Sequence, residues 1–154
     1  MGDLDVVIES THLERFVLST DRSRIDVGVV HDYLNKHSYW ASGRSRSVVE
    51  SSIGSSLCFG AYGPSGEQVA FARVITDGAT FGYLCDVFVL PGHQGGGLGK
   101  ALMQFILDHP VVQSLGHFLL ATKDAHGLYA QWGFTALEDV GKWMEVDPRQ
   151  LRRN

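Results

Sequence analysis

The stretch from residue 57 to residue 90 limits the possible folds of this chain more than any other part. Its hydrophobic pattern predicts three consecutive strands, Leu57–Tyr62, Gln68–Ile75 and Thr80–Leu90. A Gly-Pro-Ser-Gly turn separates the first two strands, and Asp77-Gly78 separates the second from the third. Connections this short join antiparallel neighbours, because a parallel pair needs a crossover of a dozen or more residues. The centre of the fold is therefore predicted to be three antiparallel strands.

The elements predicted around these strands indicate an α+β protein. Helix spacing predicts Val27–His37 and Ser45–Ile53 as helices, after a short strand at Phe16–Ser19. Further along, the pattern predicts an amphipathic helix from Leu98, a strand at His117–Ala121, a helix at Asp124–Trp132, and strands at Phe134–Leu137 and Lys142–Val146. We therefore expect a mixed, mostly antiparallel sheet flanked by helices, and not a doubly wound fold.

Composition and charge are those of an ordinary soluble domain. The chain has 13 Lys and Arg against 17 Asp and Glu, a net charge of −4, with no basic stripe to neutralise nucleic-acid phosphates. It has no internal repeat or linker, so we predict one domain over residues 1–154, with a flexible tail at 148–154. Cys58 and Cys85 are expected to be reduced core residues. We see no secretory signal or membrane-spanning run, so we expect a cytoplasmic protein without membrane partners.

The third central strand ends in a glycine-rich turn that opens directly into a helix. Four glycines lie between Val89 and Leu98. The first turn of a helix leaves N–H groups unpaired and carries partial positive charge, and glycine lets an anion approach the backbone. The segment is therefore suited to bind phosphate or pyrophosphate. A turn that only ends a strand is the alternative.

Two well-known phosphate-binding patterns do not fit this segment. A P-loop needs Gly five residues before Gly99 and Ser or Thr after Lys100, but those positions hold Gln94 and Ala101. The Rossmann fingerprint would need Gly at position 100 or 102, which hold Lys and Leu. A nucleotide-binding protein of either kind is therefore disfavoured.

The pattern that does fit is Gln/Arg-x-x-Gly-x-Gly/Ala, which occurs as Gln94-Gly95-Gly96-Gly97-Leu98-Gly99. Here the chain resembles the GNAT superfamily, whose acetyl-CoA pyrophosphate loop has this form. A second segment, Leu128-Tyr129-Ala130-Gln131-Trp132-Gly133-Phe134, is similar to the family's Leu-Tyr-x-x-x-Gly-Phe and follows after one strand, as the family's order requires. The resemblance covers roughly residues 57–146 and is weak before them.

The resemblance implies an acetyl-CoA-dependent N-acetyltransferase that needs no metal. It implies that the third central strand holds the pantetheine arm and offers a backbone N–H to the thioester carbonyl, while the glycine loop holds the pyrophosphate. The cofactor-binding residues are then Val87, Phe88 and Val89 on the strand, and Gln94, Gly95, Gly96, Gly97, Leu98, Gly99 and Lys100 in the loop.

The same resemblance implies a catalytic role for Tyr129. The family's Tyr at this position points at the sulfur of CoA, where a phenol can donate a hydrogen bond or a proton to the leaving thiolate. The alternative is a core tyrosine on an amphipathic helix. One departure is Thr122, where the family often has Asn. Thr122 or nearby Asp124 can cap the helix, but a cofactor contact of the Asn is not carried over.

The amine that attacks the thioester must first lose a proton, so a base is expected. Asp86 is the first candidate, because a carboxylate inside an apolar strand is unusual and burial would raise its pKa. The alternative is an Asp that is paired with the backbone or with Arg73 on the neighbouring strand. His126 is a second candidate, although an exposed helix His is the favoured explanation.

The sequence does not identify the acceptor, which we expect to be a small-molecule or peptide amine. Its pocket should involve the first two helices and the loop between them, where Tyr39 and Trp40 are aromatic and Arg44 and Arg46 could attract a carboxylate. Trp143 is a further aromatic candidate. A non-catalytic acyl-CoA-binding module on the same fold is the competing hypothesis, and a homodimer is suggested by family analogy alone.

Overall fold

The computed structural model describes residues 3–151. The chain divides into two compact units, residues 1–121 and residues 122–154. The first unit holds a six-stranded sheet whose spatial order is the order of the strands in the sequence. Its strands are β1 Glu9–His12, β2 Phe16–Ser19, β3 Leu57–Tyr62, β4 Gln68–Thr76, β5 Phe81–Val89 and β6 His117–Leu120. All neighbours are antiparallel except β5 and β6, which run parallel. The predicted fold class is confirmed.

Four helices belong to this first unit, and side-chain caps define where three of them begin. They are α1 Val27–His37, α2 Arg46–Gly54, α3 Leu98–Leu107 and α4 Pro110–Ser114. The Asp26 carboxylate accepts from the N–H of Val29, and the Ser45 hydroxyl accepts from that of Val48. The exception is α3, which begins after Gly97 with no side-chain cap.

The helices pack on opposite faces of the sheet, because side chains alternate along a strand. On one face, Cys58 and Phe71 join a buried cluster with Leu34 of α1 and Ile53 of α2. On the other face, the ring of Phe59 meets α3 and α4 through edge contacts to Phe105 and His109, at centroid distances of 5.8 and 5.6 Å. The central strands β3 and β4 are thus covered on both sides.

The second unit contains less regular structure than the sequence predicts. Helix α5 spans His126–Ala130, and short 3-10 turns occupy Val140–Lys142 and Pro148–Gln150. The two strands predicted at 134–137 and 142–146 are wrong, since neither segment pairs with another strand. Apolar residues alternate there, but Met144 and Val146 are exposed. Forming a strand would therefore bury no apolar face, and nothing stabilises the extended conformation. Residues 152–154 of the predicted flexible tail lie outside the described residues.

Two short elements of the first unit were not predicted. Strand β1 has an exposed polar sequence with no alternation, and it is held by pairing with β2. Helix α4 is only five residues long and begins at Pro110, a residue that is tolerated in the first turn of a helix. Between residues 3 and 151, no helix combines the length and the apolar character that crossing a membrane would require.

Candidate active site

Strand β5 has two halves with different surroundings. Its parallel pairing with β6 ends at Leu84 and Leu120, while its antiparallel pairing with β4 continues to Val89. From Cys85 to Val89, β5 therefore has a neighbour on one side only within the described sheet. An open strand edge offers N–H and C=O groups to an extended ligand. Val87, Phe88 and Val89, the residues expected to hold the pantetheine arm, all lie on this edge.

The change between the two halves coincides with a β-bulge. Phe71 pairs with Phe88 and Arg73 pairs with Cys85, so a single residue of β4 lies opposite both Asp86 and Val87. Asp86 takes a left-handed backbone conformation with φ 52°, which Asp tolerates better than most residues. Bulges bend a strand and increase its twist. The bulge therefore lies next to the point where the pairing of β5 with β6 ends.

The open edge leads directly into the segment that we call the anion loop, residues 94–100. Gly95 and Gly97 have φ of 83° and 84°, and Gly97 is the N-cap of α3. Within residues 3–151, the backbone N–H groups of residues 95 to 100 have no hydrogen-bond acceptor. Gln94 donates its side-chain amide to the carbonyl of Val89 at 2.9 Å, which fixes the loop to the strand. The result is a row of backbone donors at the positive end of a helix.

The anion loop is open above the backbone. A Cβ added at Gly95 or Gly96 would meet no atom within 4 Å. At Gly97 it would lie 3.7 Å from the ring of His12, whose Nε2 lies 3.4 Å from the carbonyl oxygen of Gly96. This contact joins residues 84 positions apart, and no sequence pattern predicts it. Lys100 is exposed in the first turn of the helix.

Asp86 is buried at the bulge and is bound by three side chains. Its Oδ2 accepts from Nε of Arg73 at 2.6 Å and from Nη1 of Arg44 at 2.9 Å, and its Oδ1 accepts from Nε1 of Trp40 at 3.0 Å. Arg73 also donates to the hydroxyl of Ser56 at 3.1 Å. We call Trp40, Arg44, Arg73 and Asp86 the bulge cluster. The pairing with Arg73 that the alternative interpretation of Asp86 requires is present.

The bulge cluster connects β5 to the loop between α1 and α2. Trp40 and Arg44 come from that loop, and Tyr39 packs edge-on against Trp40 with ring centroids 5.2 Å apart. Tyr39 is 58% exposed and Trp40 is 44% exposed. Arg46, in contrast, forms an ion pair with Glu50 along α2. Of the two arginines expected near an acceptor, only Arg44 therefore lies at the bulge.

The second sequence motif lies in the second unit, where it forms a compact turn. Tyr129 is on α5, and its ring packs edge-on against Phe134 at 5.9 Å. Its carbonyl accepts from the N–H groups of Trp132 and Phe134, while Gly133 takes φ 92° to close the turn. The hydroxyl of Thr122 accepts from the N–H of Ala125, one residue before α5 begins. His126 is exposed.

Comparisons with known proteins assign this fold, with its mixed sheet and open strand edge, to the acetyltransferases. A family model described as the acetyltransferase (GNAT) domain matches residues 54–136, which is more than half of the chain. A candidate acetyltransferase of Gibberella zeae is 33% identical over 137 residues, 75% of this chain and 76% of that protein. This chain belongs to the GNAT family of acetyltransferases.

Solved structures support the same assignment. A candidate GNAT-family acetyltransferase from Xanthomonas campestris pv. campestris is 49% identical, with a TM-score of 0.83 over 86% of this chain and 92% of that one. An acetyltransferase candidate from Clostridium acetobutylicum, crystallised with acetyl-CoA, has a TM-score of 0.60 over 88% of this chain and 96% of its own. At 12% identity, the second structure shows a likeness of fold alone.

No metal centre was found in the part of the chain that the structure describes. There, no three His, Cys, Asp or Glu side chains are grouped so as to hold a metal ion. Both cysteines are free, and burial raises the pKa of the Cys58 thiol to about 12 and that of Cys85 to about 11. Neither thiol is therefore an activated nucleophile at neutral pH.

Proposed function

We propose that this acetyltransferase takes its acetyl group from acetyl-CoA and transfers it directly to a primary amine. The proposal is supported by one observation: two sets of backbone hydrogen-bond donors follow each other along the chain. The open edge of β5, residues 85–89, runs into the free N–H groups of residues 95–100. An extended polar arm that ends in a pyrophosphate matches this arrangement, because the edge can pair with amides and the helix start binds anions.

In this proposal each part of the site has its own task. Acetyl-CoA supplies an activated acetyl thioester. Val87, Phe88 and Val89 would hold the pantetheine arm, and a backbone N–H of this segment would stabilise the negative charge that develops on the thioester oxygen. Residues 94–100 would bind the pyrophosphate. Tyr129 would donate a proton or a hydrogen bond to the thiolate of CoA as it leaves.

Asp86 has two proposed roles, and its contacts favour one of them. As a base it would take the proton of the acceptor amine. However, both of its oxygens already accept hydrogen bonds from Trp40, Arg44 and Arg73, so a bound amine would have to displace one of these donors. We therefore propose that Asp86 mainly holds the bulge and the α1–α2 loop in place. Deprotonation of the amine is then left to water or to a residue such as His126.

The proposal is tested first by calorimetric titration with acetyl-CoA. Gly96→Glu places a carboxylate among the free N–H groups, at a position with ordinary φ and open space above the backbone. Gly96 is a cleaner site than Gly97, whose positive φ would strain any side chain. We expect wild type to bind in the micromolar range and Gly96→Glu to lose at least about a hundredfold in affinity, because it competes with the pyrophosphate.

Gly96→Gln is the matched control, since it adds the same bulk without the charge. We expect it to retain most of the affinity. Absence of acetyl-CoA binding to folded wild-type protein would contradict the proposal and make the loop a structural turn. Binding without CoA release across a broad panel of amines would favour the non-catalytic module instead.

A further inference from the structure

The bulge cluster carries more positive than negative charge. One carboxylate, Asp86, is shared by two guanidinium groups, Arg44 and Arg73, so the cluster has a net charge of about +1 at neutral pH. Within the described chain, no second acidic side chain forms an ion pair with either arginine. A partly buried excess charge of this kind favours an anion as a neighbour.

The excess charge reaches solvent through Arg44. The Arg73 side chain is 10% exposed and also binds Ser56, whereas the Arg44 side chain is 23% exposed. Arg44 uses only Nη1 on Asp86, and no other acceptor for its guanidinium is present among residues 3–151. Its remaining N–H groups can therefore bind an external carboxylate, for which the planar guanidinium is well suited.

Arg44 brings this excess positive charge close to the strand edge where the reaction is proposed to occur. Its partner Asp86 directly precedes Val87, where the open edge of β5 begins its proposed contact with the thioester. Beside it, the exposed ring of Trp40 is anchored by its indole N–H to the same carboxylate, and Tyr39 extends the aromatic surface. An acceptor held here would have its anionic group on Arg44 and its carbon skeleton on these rings.

We propose that the acceptor is an amine that also carries a carboxylate, in the class of amino acids, and that Arg44 is the residue that selects it. This inference rests on the proposed function. The carboxylate would bind to Arg44 and leave the amine free to reach the thioester. Arg73 and Asp86 would act as positioning residues, because they hold Arg44 at the bulge without contacting the acceptor themselves.

The test uses acetylated products, because they lack the titrating amine that would confuse a comparison of substrates. Binding of N-acetylglycine and N-acetyl-L-phenylalanine is compared with binding of their carboxamides, by calorimetry with CoA present. The members of each pair differ only in the carboxylate. We expect the carboxylate of at least one pair to bind about tenfold or more tightly, as a charge-assisted hydrogen bond would give. Equal binding within both pairs would overturn the inference.

The role of Arg44 is tested by substitution. In Arg44→Gln the preference for the carboxylate should fall below about twofold, because binding of the carboxylate weakens more than binding of the carboxamide. Asp86 keeps Arg73 and Trp40 in this variant, and Arg44→Lys, which retains the charge, should keep part of the preference. Lys36→Gln removes an equal charge from an exposed ion pair on α1 and should change nothing. A preference that survives Arg44→Gln would overturn the assignment to Arg44.

These binding measurements separate the inference from the proposed function. A carboxylate preference without acetyl-CoA-dependent CoA release would support the acceptor class and contradict catalysis. Release of CoA with simple amines, in a protein that shows no carboxylate preference, would support catalysis and overturn the acceptor class.

Discussion

The anion loop and the bulge cluster lie at the two ends of the same open strand edge, yet they present positive charge in opposite ways. The anion loop uses backbone N–H groups and the end of a helix, and its glycines add no side chains. The bulge cluster uses guanidinium groups that a buried carboxylate holds in place. The first arrangement depends on local chain geometry, whereas the second depends on contacts between residues 40, 44, 73 and 86.

The two parts of the site therefore depend on the rest of the fold to different extents. A loop made of consecutive residues depends mainly on the strand and the helix that flank it, and the contact of His12 with Gly96 adds one from a distant part of the chain. A cluster of charges far apart in sequence forms only when the helices, the sheet and the bulge are already assembled. Removing one member should therefore disturb the bulge cluster far more than a single glycine replacement disturbs the anion loop.

The largest effect is expected for Asp86→Ala, which would leave Arg44 and Arg73 without their shared partner. Breaking a buried ion pair from one side costs about 3–5 kcal/mol, so we expect a loss of this size in the free energy of unfolding, measured by urea denaturation. Asp86→Asn should lose less, because the amide oxygen can still accept hydrogen bonds. The exposed pair of Asp32 with Lys36 provides the control, and Asp32→Ala should have no measurable effect. If Asp86→Ala, like Asp32→Ala, leaves the free energy of unfolding unchanged, the bulge cluster does not organise the site.

The next effect concerns Tyr129, the side chain proposed to act in the chemistry itself. Tyr129→Phe removes only the hydroxyl, so turnover should fall about a hundredfold through loss of the proton donor to the thiolate. Affinity for acetyl-CoA should stay unchanged, since the backbone groups of β5 and the anion loop supply it. Steady-state kinetics combined with calorimetry measure the two quantities separately. Unchanged turnover would contradict the proposed role of the Tyr129 hydroxyl.

The smallest effect is expected within the anion loop. Gly97→Ala places a side chain at φ 84°, which should cost about 1 kcal/mol of stability. Gly96→Ala is the matched control, because its φ is ordinary and its Cβ would meet nothing within 4 Å. Thermal melting of the two variants measures the difference. If both variants melt at the temperature of wild type, the left-handed conformation of Gly97 is not required for folding.

Much of the fold was predictable because its main elements carry strong local signals. The bounds of α1 and of β2 and β3 agree with the prediction, since apolar period and flanking turns mark them clearly. The strands predicted at 134–137 and 142–146 were wrong, because the local signal there is not matched by a pairing partner. Apolar alternation indicates that a segment is able to form a strand. A strand also needs a neighbouring strand to pair with, and the alternation does not identify that neighbour.

The candidate site likewise has parts that local sequence predicts and parts that depend on contacts between distant segments. From the sequence it was possible to predict a glycine-rich turn that opens α3 and a short helix around Tyr129, because each is a run of consecutive residues with strong local preferences. The folded structure was needed to show that Asp86 lies in a bulge and that Trp40 and Arg44 share its carboxylate. It was also needed to show that His12 lies against Gly97. These contacts join distant segments, and the energy of packing, not any local preference, selects them.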